Sequence, residues 1–492
     1  MIEAELPTLE PSLFEGILSP RRWRQFDATL RRSAALMEGR TLFHVNSTAT
    51  GGGVAELLSS VLGYLLGANI QSRWLVVEGT EDFFVLTKRI HHLLHGKEGD
   101  AGDLGPAEAQ LYTSALTAEL PSVSAHVKPG DVVILHDPQV VGLAPHLREM
   151  GASVIWNCHV GADVANGECR RAWEFLLPAT SSAHAQVFSR AQYVWEGLNR
   201  EKVVVIPPCI DAFSPKNQAL DPDQARRILA ASGLFVTPGG PEGREGREGP
   251  GGPEGLDGRS DEKATFTRID GSVGKVRHAV RVLGTSALPP EAPLVTQISR
   301  WDPLKDHAGV AKFFAEAVPP EVGAHLVLAG PSPDAVADDP ESVATFDELG
   351  TCIASLPEEA RSRVHVACLP MDDIEENAAI VNALQRYSDV VVQKSLAEGF
   401  GLTVAEAMWK GRPTVATSIG GIQDQISHGL TGVLIDDPED SRAFGKAVTD
   451  LLCDRDLSND LGRAAHRSVV DNFLAPRYLG QYLELVETVL TA

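Results

Sequence analysis

Short runs of apolar, β-branched residues recur along this chain, and each is followed by a longer polar or helical segment. Five such runs in the first half read as strands: Thr41 to Asn46, Arg73 to Glu78, Asp131 to Leu135, Ser153 to Cys158 and Lys202 to Ile206. The second half holds six: Leu294 to Ile298, His325 to Leu328, Val364 to Leu369, Val390 to Gln393, Pro413 to Thr417 and Val433 to Ile435. Strands that alternate with longer segments predict parallel sheets covered by helices. We therefore expect an α/β protein with two Rossmann-like, doubly wound domains.

Polar residues follow several strands of the first half, where ligands of such sheets bind. They are Asn46, Glu78, Asp137 and His159. For His159, a structural role and a role facing a sugar are equally open.

A glycine-bearing loop between a strand and a helix stands out in the second half, in QKSLAEGFGLTVAEAMWKGRP, residues 393 to 413. Gly399 and Gly401 let the backbone approach a ligand, and the helix from Leu402 to about Lys410 begins with N–H groups that attract phosphate. The pattern predicts a donor-binding loop formed by Gly399, Phe400, Gly401, Leu402 and Thr403, with the diphosphate on the amides of Gly401 to Thr403.

Two carboxylates bracket this loop. Glu406 in the helix can accept two hydrogen bonds, which suits vicinal ribose hydroxyls, and Glu398 is placed for sugar hydroxyls. The alternative is that both are ordinary solvated acids, but the strand, glycines and helix stop agree on a nucleotide-sugar site.

Two further segments have the composition of phosphate sites. Gly51, Gly52 and Gly53 connect a strand to a helix over about Val54 to Leu66, without the lysine of a Walker A loop; a tight turn is the alternative. Arg300 and Lys305 follow a strand and could neutralise a leaving pyrophosphate, although a surface pairing with Asp302 and Asp306 is the alternative.

Charge and composition exclude several classes of function. With 43 basic and 66 acidic residues the net charge is −23, which argues against nucleic acid or an anionic membrane as partner. The six cysteines are scattered, and no apolar run reaches ~18 residues, so a reduced, cytoplasmic protein is expected. Asp221-x-Asp223 and Asp454-x-Asp456 are interpreted as surface acids, and we expect no metal site.

The expected organisation has five parts. Residues 1–40 form an N-terminal arm, 41–215 the first domain, 236–290 an insertion, 291–475 the second domain and 476–492 a closing helix. Residues 238–258 contain 9 Gly and 4 Pro among 21 positions, too few apolar groups to offset chain ordering, so this part is expected to be disordered. From there to about Leu288 the chain reads either as a strand and turn or as more linker.

The 393 to 413 segment resembles the E-x7-E element of retaining GT-B glycosyltransferases, family 4 in particular, with Glu398 and Glu406 at its ends. The loop with Arg300 and Lys305 resembles the R-x4-K element of that family. VNSTATGGGVAELL, ILHDPQ and PCIDAFSPKN are similar to segments of its trehalose synthase subgroup and of the related trehalose phosphorylases.

The resemblance implies a fold and an activity. The two domains would face each other across a cleft, and the final helix would cross back to the first domain. A retaining glucosyltransferase would form trehalose reversibly from a nucleoside diphosphate glucose and glucose, without cofactor or metal. Arg300, Lys305 and Glu398 would be catalytic, and Gly51 to Gly53 would lie over the donor. Asn46, Glu78, Asp137 and His159 would contact the acceptor. The alternatives are a phosphorylase that uses glucose 1-phosphate and a non-catalytic sugar-nucleotide-binding protein. For the oligomeric state, a homodimer is one of the open alternatives.

Overall fold

The computed structural model describes residues 1–49, 52–235, 264–336 and 340–491. Two compact units form: Met1–Asp211 with Val470–Ala492, and Ala212–Val469. Each unit contains a seven-stranded sheet in which all but one edge strand are parallel. The predicted class, two doubly wound α/β domains, is confirmed. Gly51 and residues 236–263 lie outside the described residues.

The first unit contains short strands that alternate with helices. In chain order they are β1 (Ile2–Ala4), α1 (Pro20–Leu36), β2 (Leu42–Asn46), α2 (Gly53–Gly67), β3 (Ser72–Val76), α3 (Glu81–Leu94), α4 (Pro106–His126), β4 (Val132–His136), α5 (Asp137–Val140), α6 (Ala144–Glu149), β5 (Ser153–Cys158), α7 (Gly167–Thr180), β6 (Ala185–Phe188) and β7 (Val203–Val205).

The strand order of the first sheet is β1-β3-β2-β4-β5-β6-β7. Every residue of β2 and β4 is buried, as expected for parallel strands covered on both faces. Two strands were missed by the sequence analysis. One is β6, and the other is β1, which lies in the segment taken as a leading arm and pairs antiparallel with β3.

The second unit follows the same alternation. Its elements are α8 (Pro222–Ala231), β8 (Thr265–Thr267), β9 (Val273–Lys275), β10 (Arg281–Leu283), β11 (Leu294–Ile298), α9 (His307–Ala317), β12 (His325–Pro331), α10 (Pro340–Ser355), α11 (Glu358–Arg361), β13 (Val364–Leu369), α12 (Ile374–Tyr387), β14 (Val390–Gln393), α13 (Leu402–Trp409), β15 (Thr414–Thr417), α14 (Ile422–Gln425), β16 (Val433–Ile435), α15 (Ser441–Cys453) and α16 (Arg455–Asn472).

The strand order of the second sheet is β10-β13-β12-β11-β14-β15-β16. Its direction of winding reverses between β11 and β14, which lie side by side and parallel. Ligands of doubly wound sheets bind beyond the carboxyl ends of the strands at such a reversal. The fold therefore points to the loops that follow Ile298 and Gln393.

The described residues from 264 to 283 form three short strands. β8 and β9 form an antiparallel pair, and β10 joins the sheet beside β13. Arg268 pairs with Asp373 and Glu375 at the start of α12. Of the two alternatives left open by the sequence, strand and turn is therefore correct here.

Aromatic side chains pack against one another within the core of each unit. In the first, Trp156 lies against Trp173 and Phe188 with ring centroids 5.9 and 5.8 Å apart. In the second, Phe313 stacks on Phe444 at 5.2 Å. Complete burial of each such ring contributes about 1.5–3 kcal/mol, so each sheet has its own stabilising core.

The last helix, α17 (Ala475–Thr491), belongs to the first unit. Arg477 donates to the carbonyl oxygens of Pro207 and Pro208 at 2.6 and 2.7 Å, and Arg32 of α1 pairs with Glu487 at 2.9 Å. Within the described part of the chain, no helix combines the length and apolar character needed to cross a membrane.

Candidate functional site

The loops after β11 and β14 are joined by a buried glutamine. Gln297, near the end of β11, donates from Nε2 to the Lys305 carbonyl at 2.7 Å and accepts at Oε1 from the Lys394 amide at 2.9 Å. The amide of Leu396 donates to the Leu304 carbonyl at 2.7 Å. The loops that carry Lys305 and Glu398 are thus fixed to each other where the sheet reverses its winding.

Lys305 and Glu398 form an ion pair in this position. Their Nζ and Oε2 atoms are 2.6 Å apart, and the side chains are only 14% and 12% exposed. Ser395 Oγ also donates to Glu398 Oε2, at 3.1 Å. An ammonium held in place by a carboxylate at the end of a strand is a preformed cationic group for an anionic ligand.

The same two loops form a second ion pair, whose lysine is more deeply buried than Lys305. Lys394, 2% exposed, pairs with Asp306. Asp306 has φ +47° and also accepts from the Gly309 amide at 3.0 Å at the start of α9. A non-glycine residue in the left-handed region is strained, so these contacts hold the turn that presents Lys305.

Arg300 lies in the same loop but on the surface. Its side chain is 66% exposed, and its guanidinium is 3.4 Å from Asp302 Oδ2. An exposed pair at this separation contributes little, so the guanidinium can exchange Asp302 for a phosphate at small cost. Of the surface pairing considered in the sequence analysis, the contact of Arg300 with Asp302 is therefore present, whereas Lys305 pairs with Glu398 and Asp306 pairs with Lys394.

The loop from Glu398 to Gly401 packs against Gly420 and Gly421 with no space for side chains. A Cβ on Gly420 would lie 1.7 Å from the Glu398 carbonyl oxygen, and a Cβ on Gly421 would lie 2.6 Å from the Phe400 Cα. The Gly421 amide donates to the Gly399 carbonyl at 3.1 Å. The shape of the loop depends on this backbone contact.

Helix α13 begins directly after this loop. Gly401 precedes it with φ +87°, and Gln425 donates to the Phe400 carbonyl at 2.5 Å. The first amides of the helix, those of Leu402 and Thr403, have no acceptor in a preceding turn. Thr403 Oγ1 donates to Gln393 Oε1 at 3.0 Å, which ties the helix start to the end of β14.

Glu406 lies in α13 and is fully buried. Its Oε1 is 3.0 Å from Lys216 Nζ in an ion pair. Neither carboxylate oxygen accepts a hydrogen bond of ordinary geometry from the described residues. Because a buried carboxylate without hydrogen bonds is unfavourable, such oxygens suit ligand hydroxyls.

In the first unit, three of the predicted residues lie at the end of β2 and in the loop after it. Gly52, φ +84°, precedes Gly53 at the start of α2, and both are exposed. Asn46 is buried; its Oδ1 accepts from Trp74 Nε1 at 2.8 Å, and its Nδ2 donates to the Thr48 carbonyl at 2.6 Å. Asn46 therefore holds the start of the glycine loop.

Glu78 follows β3 and remains 58% exposed, with its carboxylate 3.0 Å from the Met1 amine. Its backbone amide donates to Glu119 Oε1 at 2.7 Å.

Asp137 and His159 come together at the ends of β4 and β5. The His159 amide donates to Asp137 Oδ1 at 2.7 Å, and Asp137 has φ +64°. Burial raises the pKa of Asp137, while His159 opposes this shift; burial lowers the pKa of His159. Strained backbone in a non-glycine residue is typical of ligand sites.

A row of histidines continues from His159 into the sheet. His136 Nδ1 is 3.3 Å from His159 Nε2, and His136 Nε2 is 2.9 Å from His44 Nδ1. Asn157 Nδ2 lies 2.8 Å from His159 Nε2. Burial lowers the pKa of His44 to about 3 and that of His136 well below its usual range, so the row is uncharged near neutrality.

Several residues in these arrangements were missed by the sequence analysis, namely Lys216, Gln297, Lys394, Gln425 and His44. A polar residue inside an apolar strand run is a signal that could have identified Gln297 and His44. Lys216 gives no such signal, because its partner lies in a distant part of the chain.

Two family models match the chain. Residues 44–195 match the N-terminal domain of trehalose synthase, and residues 284–468 match glycosyl transferases group 1. HepE of Anabaena, solved with UDP and glucose, is similar in fold with a TM-score of 0.58 and 14% identity, over 91% of this chain and 100% of HepE. Sucrose-phosphate synthase of Thermosynechococcus elongatus also has a TM-score of 0.58 at 14% identity, over 91% of this chain and 99% of its own. The chain therefore has the GT-B fold and is a glycosyltransferase.

Relatives that are similar to this chain over most of its length show which family it belongs to. A trehalose synthase of Pyrococcus horikoshii is 30% identical over 460 residues, 94% of this chain and 92% of the relative. A trehalose synthase of Rubrobacter xylanophilus is 30% identical over 472 residues, 95% of each chain. A trehalose phosphorylase of Grifola frondosa is 25% identical over 87% of this chain and 54% of its own length. The chain belongs to the trehalose synthase family of glycosyltransferases.

Proposed function

We propose that this protein transfers a glucosyl group from a nucleoside diphosphate glucose to glucose and forms trehalose with retention of configuration. The proposal rests on three polar features at or near α13 that could each bind part of a ligand. They are the Lys305–Glu398 pair, the first amides of the helix and the buried Glu406. The donor contains a diphosphate, a sugar and a ribose, and each of these parts would contact one of the three features. HepE, solved with UDP-glucose, has the same fold.

Each donor group has a proposed position. The diphosphate binds the amides of Leu402 and Thr403 and the cations of Arg300 and Lys305. Glu398 accepts from hydroxyls of the transferred sugar. Since Lys305 is already 2.6 Å from Glu398, one ammonium can bridge this carboxylate and a phosphate oxygen.

The proposed reaction needs no carboxylate nucleophile. The bond from the anomeric carbon to the diphosphate oxygen breaks, and the acceptor hydroxyl oxygen forms the new bond on the same face. The proton of that hydroxyl passes to a diphosphate oxygen. Fixed cations and helix amides stabilise the charge that develops on the leaving diphosphate. The acceptor contacts are proposed at Asp137, His159, Glu78 and Asn46. The proposal includes no metal or cofactor and places the enzyme in the cytoplasm.

A phosphorylase is the second candidate, since a relative carries that activity in its name. Glu406 favours a nucleotide donor, because glucose 1-phosphate has no ribose to occupy a buried carboxylate.

The test is incubation with glucose and, in separate reactions, ADP-, UDP- or GDP-glucose or glucose 1-phosphate. NMR of the product then assigns the linkage. An α,α-1,1 disaccharide formed from a nucleotide donor alone is the expected result. Formation from glucose 1-phosphate would establish the phosphorylase instead, and absence of any disaccharide would refute both.

A further inference from the structure

We infer that Lys216 is a specificity-determining residue that, together with Glu406, recognises the ribose diol of the donor. The inference rests on the proposed function, because it takes Glu406 as the ribose end of the donor site. The starting observation is the contact of 3.0 Å between Lys216 Nζ and Glu406 Oε1. Lys216 is 21% exposed and Glu406 only 1%, so the ammonium has access to a ligand that covers the carboxylate.

The backbone on both sides of Lys216 is fixed to helices α12 and α13. Asn382 Nδ2 donates to the Pro215 carbonyl at 3.1 Å, and Trp409 Nε1 donates to the Asn217 carbonyl at 2.9 Å. Lys410 Nζ donates to Asn217 Oδ1 at 2.9 Å. The residue between these anchors therefore presents its side chain to Glu406 from a rigid support, which suits recognition of a small polar group.

The two charged groups complement a vicinal diol. A carboxylate only accepts hydrogen bonds and an ammonium only donates them, whereas each hydroxyl does both. One ribose hydroxyl donates to Glu406 Oε2, and the oxygen of its neighbour accepts from Lys216 Nζ. Removal of either hydroxyl leaves the buried carboxylate or the ammonium without one of its hydrogen bonds, which is costly.

Lys216 also makes the buried carboxylate tolerable. An isolated charge in this position would be strongly unfavourable, and the ammonium offsets much of that cost. A simple structural role for Lys216 predicts loss of stability on substitution but no change in the choice between ribose and deoxyribose. The two roles can therefore be separated by a specificity measurement.

The experiment is isothermal titration of the full chain with ADP, UDP and GDP, followed by the 2′-deoxy and 3′-deoxy forms of the tightest binder. For the unaltered protein, loss of one hydroxyl should weaken binding at least about tenfold. Lys216→Met should reduce the ribose-to-deoxyribose ratio to about twofold, and Lys216→Arg should preserve most of it. Lys446→Met, at an exposed lysine of α15 paired with Asp450, is the matched control and should behave as the unaltered protein.

Lys216→Met alone leaves Glu406 buried without its cation and could unfold the protein. Two further variants therefore test the inference without a buried unpaired charge. Glu406→Gln retains an acceptor oxygen without charge, and the double variant Lys216→Met with Glu406→Gln buries no unpaired ion. If Lys216 contacts ribose, the double variant discriminates less than Glu406→Gln alone. If the two variants discriminate equally between ribose and deoxyribose nucleotides, the inference about Lys216 is wrong. The proposed function would still stand in that case, because the protein would still bind the nucleoside diphosphate. Failure of all three diphosphates to bind the unaltered protein would instead overturn the nucleotide donor itself.

Discussion

Replacement of Gly420 by alanine tests whether the shape of the 398 to 401 loop controls activity. Gly420 has φ +50°, and a Cβ there would lie 1.7 Å from the Glu398 carbonyl oxygen. Gly429 has φ +74°, but an added Cβ would meet no described atom within 4 Å. Alanine at either position has the same kind of backbone strain, and only at Gly420 does it also collide with the loop.

The structure gives the size of both effects. Left-handed backbone costs an alanine about 1–2 kcal/mol, so Gly429→Ala should lose about that much stability, and Gly420→Ala should lose more because of the collision. Ordinary contact begins at 3.4 Å, so the Glu398 carbonyl must retreat by about 1.7 Å from the new methyl group at Gly420. A misplacement of about 1 Å in a site costs about 100-fold in rate, which is the minimum loss we expect for Gly420→Ala.

The assay compares kcat/KM for glucosyl transfer with thermal unfolding for both variants. We expect Tm to fall by a few degrees in Gly429→Ala and further in Gly420→Ala, whereas activity falls at least about 100-fold in Gly420→Ala and at most about threefold in Gly429→Ala. If Gly420→Ala matches Gly429→Ala in both activity and Tm, the contact with Glu398 does not shape the site and the reasoning is wrong.

Three other expectations follow from the same geometry. Lys305→Met should lower kcat about 100-fold without loss of the fold, because it removes the fixed cation beside the leaving diphosphate; steady-state kinetics with circular dichroism checks this, and a near-normal kcat would contradict it. Arg300→Ala should also lower turnover by about 10–100-fold, with the stability unchanged because the side chain is 66% exposed; the same assays apply, and an unchanged rate would remove Arg300 from the site. Acid should destabilise both units, because burial lowers the pKa of His44 and of His307 to about 3. Each neutral histidine stabilises the fold fully above its unfolded pKa of about 6.5, and this contribution is lost as the pH falls toward about 3. From pH 7 to pH 5 the loss is about 2 kcal/mol for each, measurable by urea unfolding, and substitution of His44 by glutamine should flatten the profile. An equally steep profile in that variant would contradict the assignment.

Much of the fold could be predicted from the chain because its signals are local. Buried parallel strands such as β4 and β14 are short apolar runs, and the loop from Glu398 to Gly401 lies between a strand and a helix within one contiguous stretch. Their periodicity and glycine content are visible without knowledge of distant partners. The weaker strands could not be identified for the converse reason: β1 was missed and β10 was left open, because both are short edge strands whose sequences gain meaning only beside β3 and β13.

The candidate site divides in the same way. The identities of Lys305, Glu398 and Glu406, and their places in loop and helix, follow from the sequence and the resemblance that it carries. That Arg300 is exposed beside Asp302, whereas Lys305 is buried against Glu398, does not follow from the sequence, since both cations occupy one short loop. Burial depends on which strand ends are adjacent, and this is set by the sheet order.

The amino-acid pattern thus specified two α/β domains and a strand, loop and helix suited to phosphate, because those features depend on neighbours a few residues apart. The ion pair between Lys305 and Glu398 spans 93 residues, and the hydrogen bond from Lys410 to Asn217 spans 193. Contacts of this separation exist only after the sheet has brought its strands together. The pairing of Lys216 with Glu406 and the close approach of Gly420 to Glu398 were therefore decided by the tertiary structure.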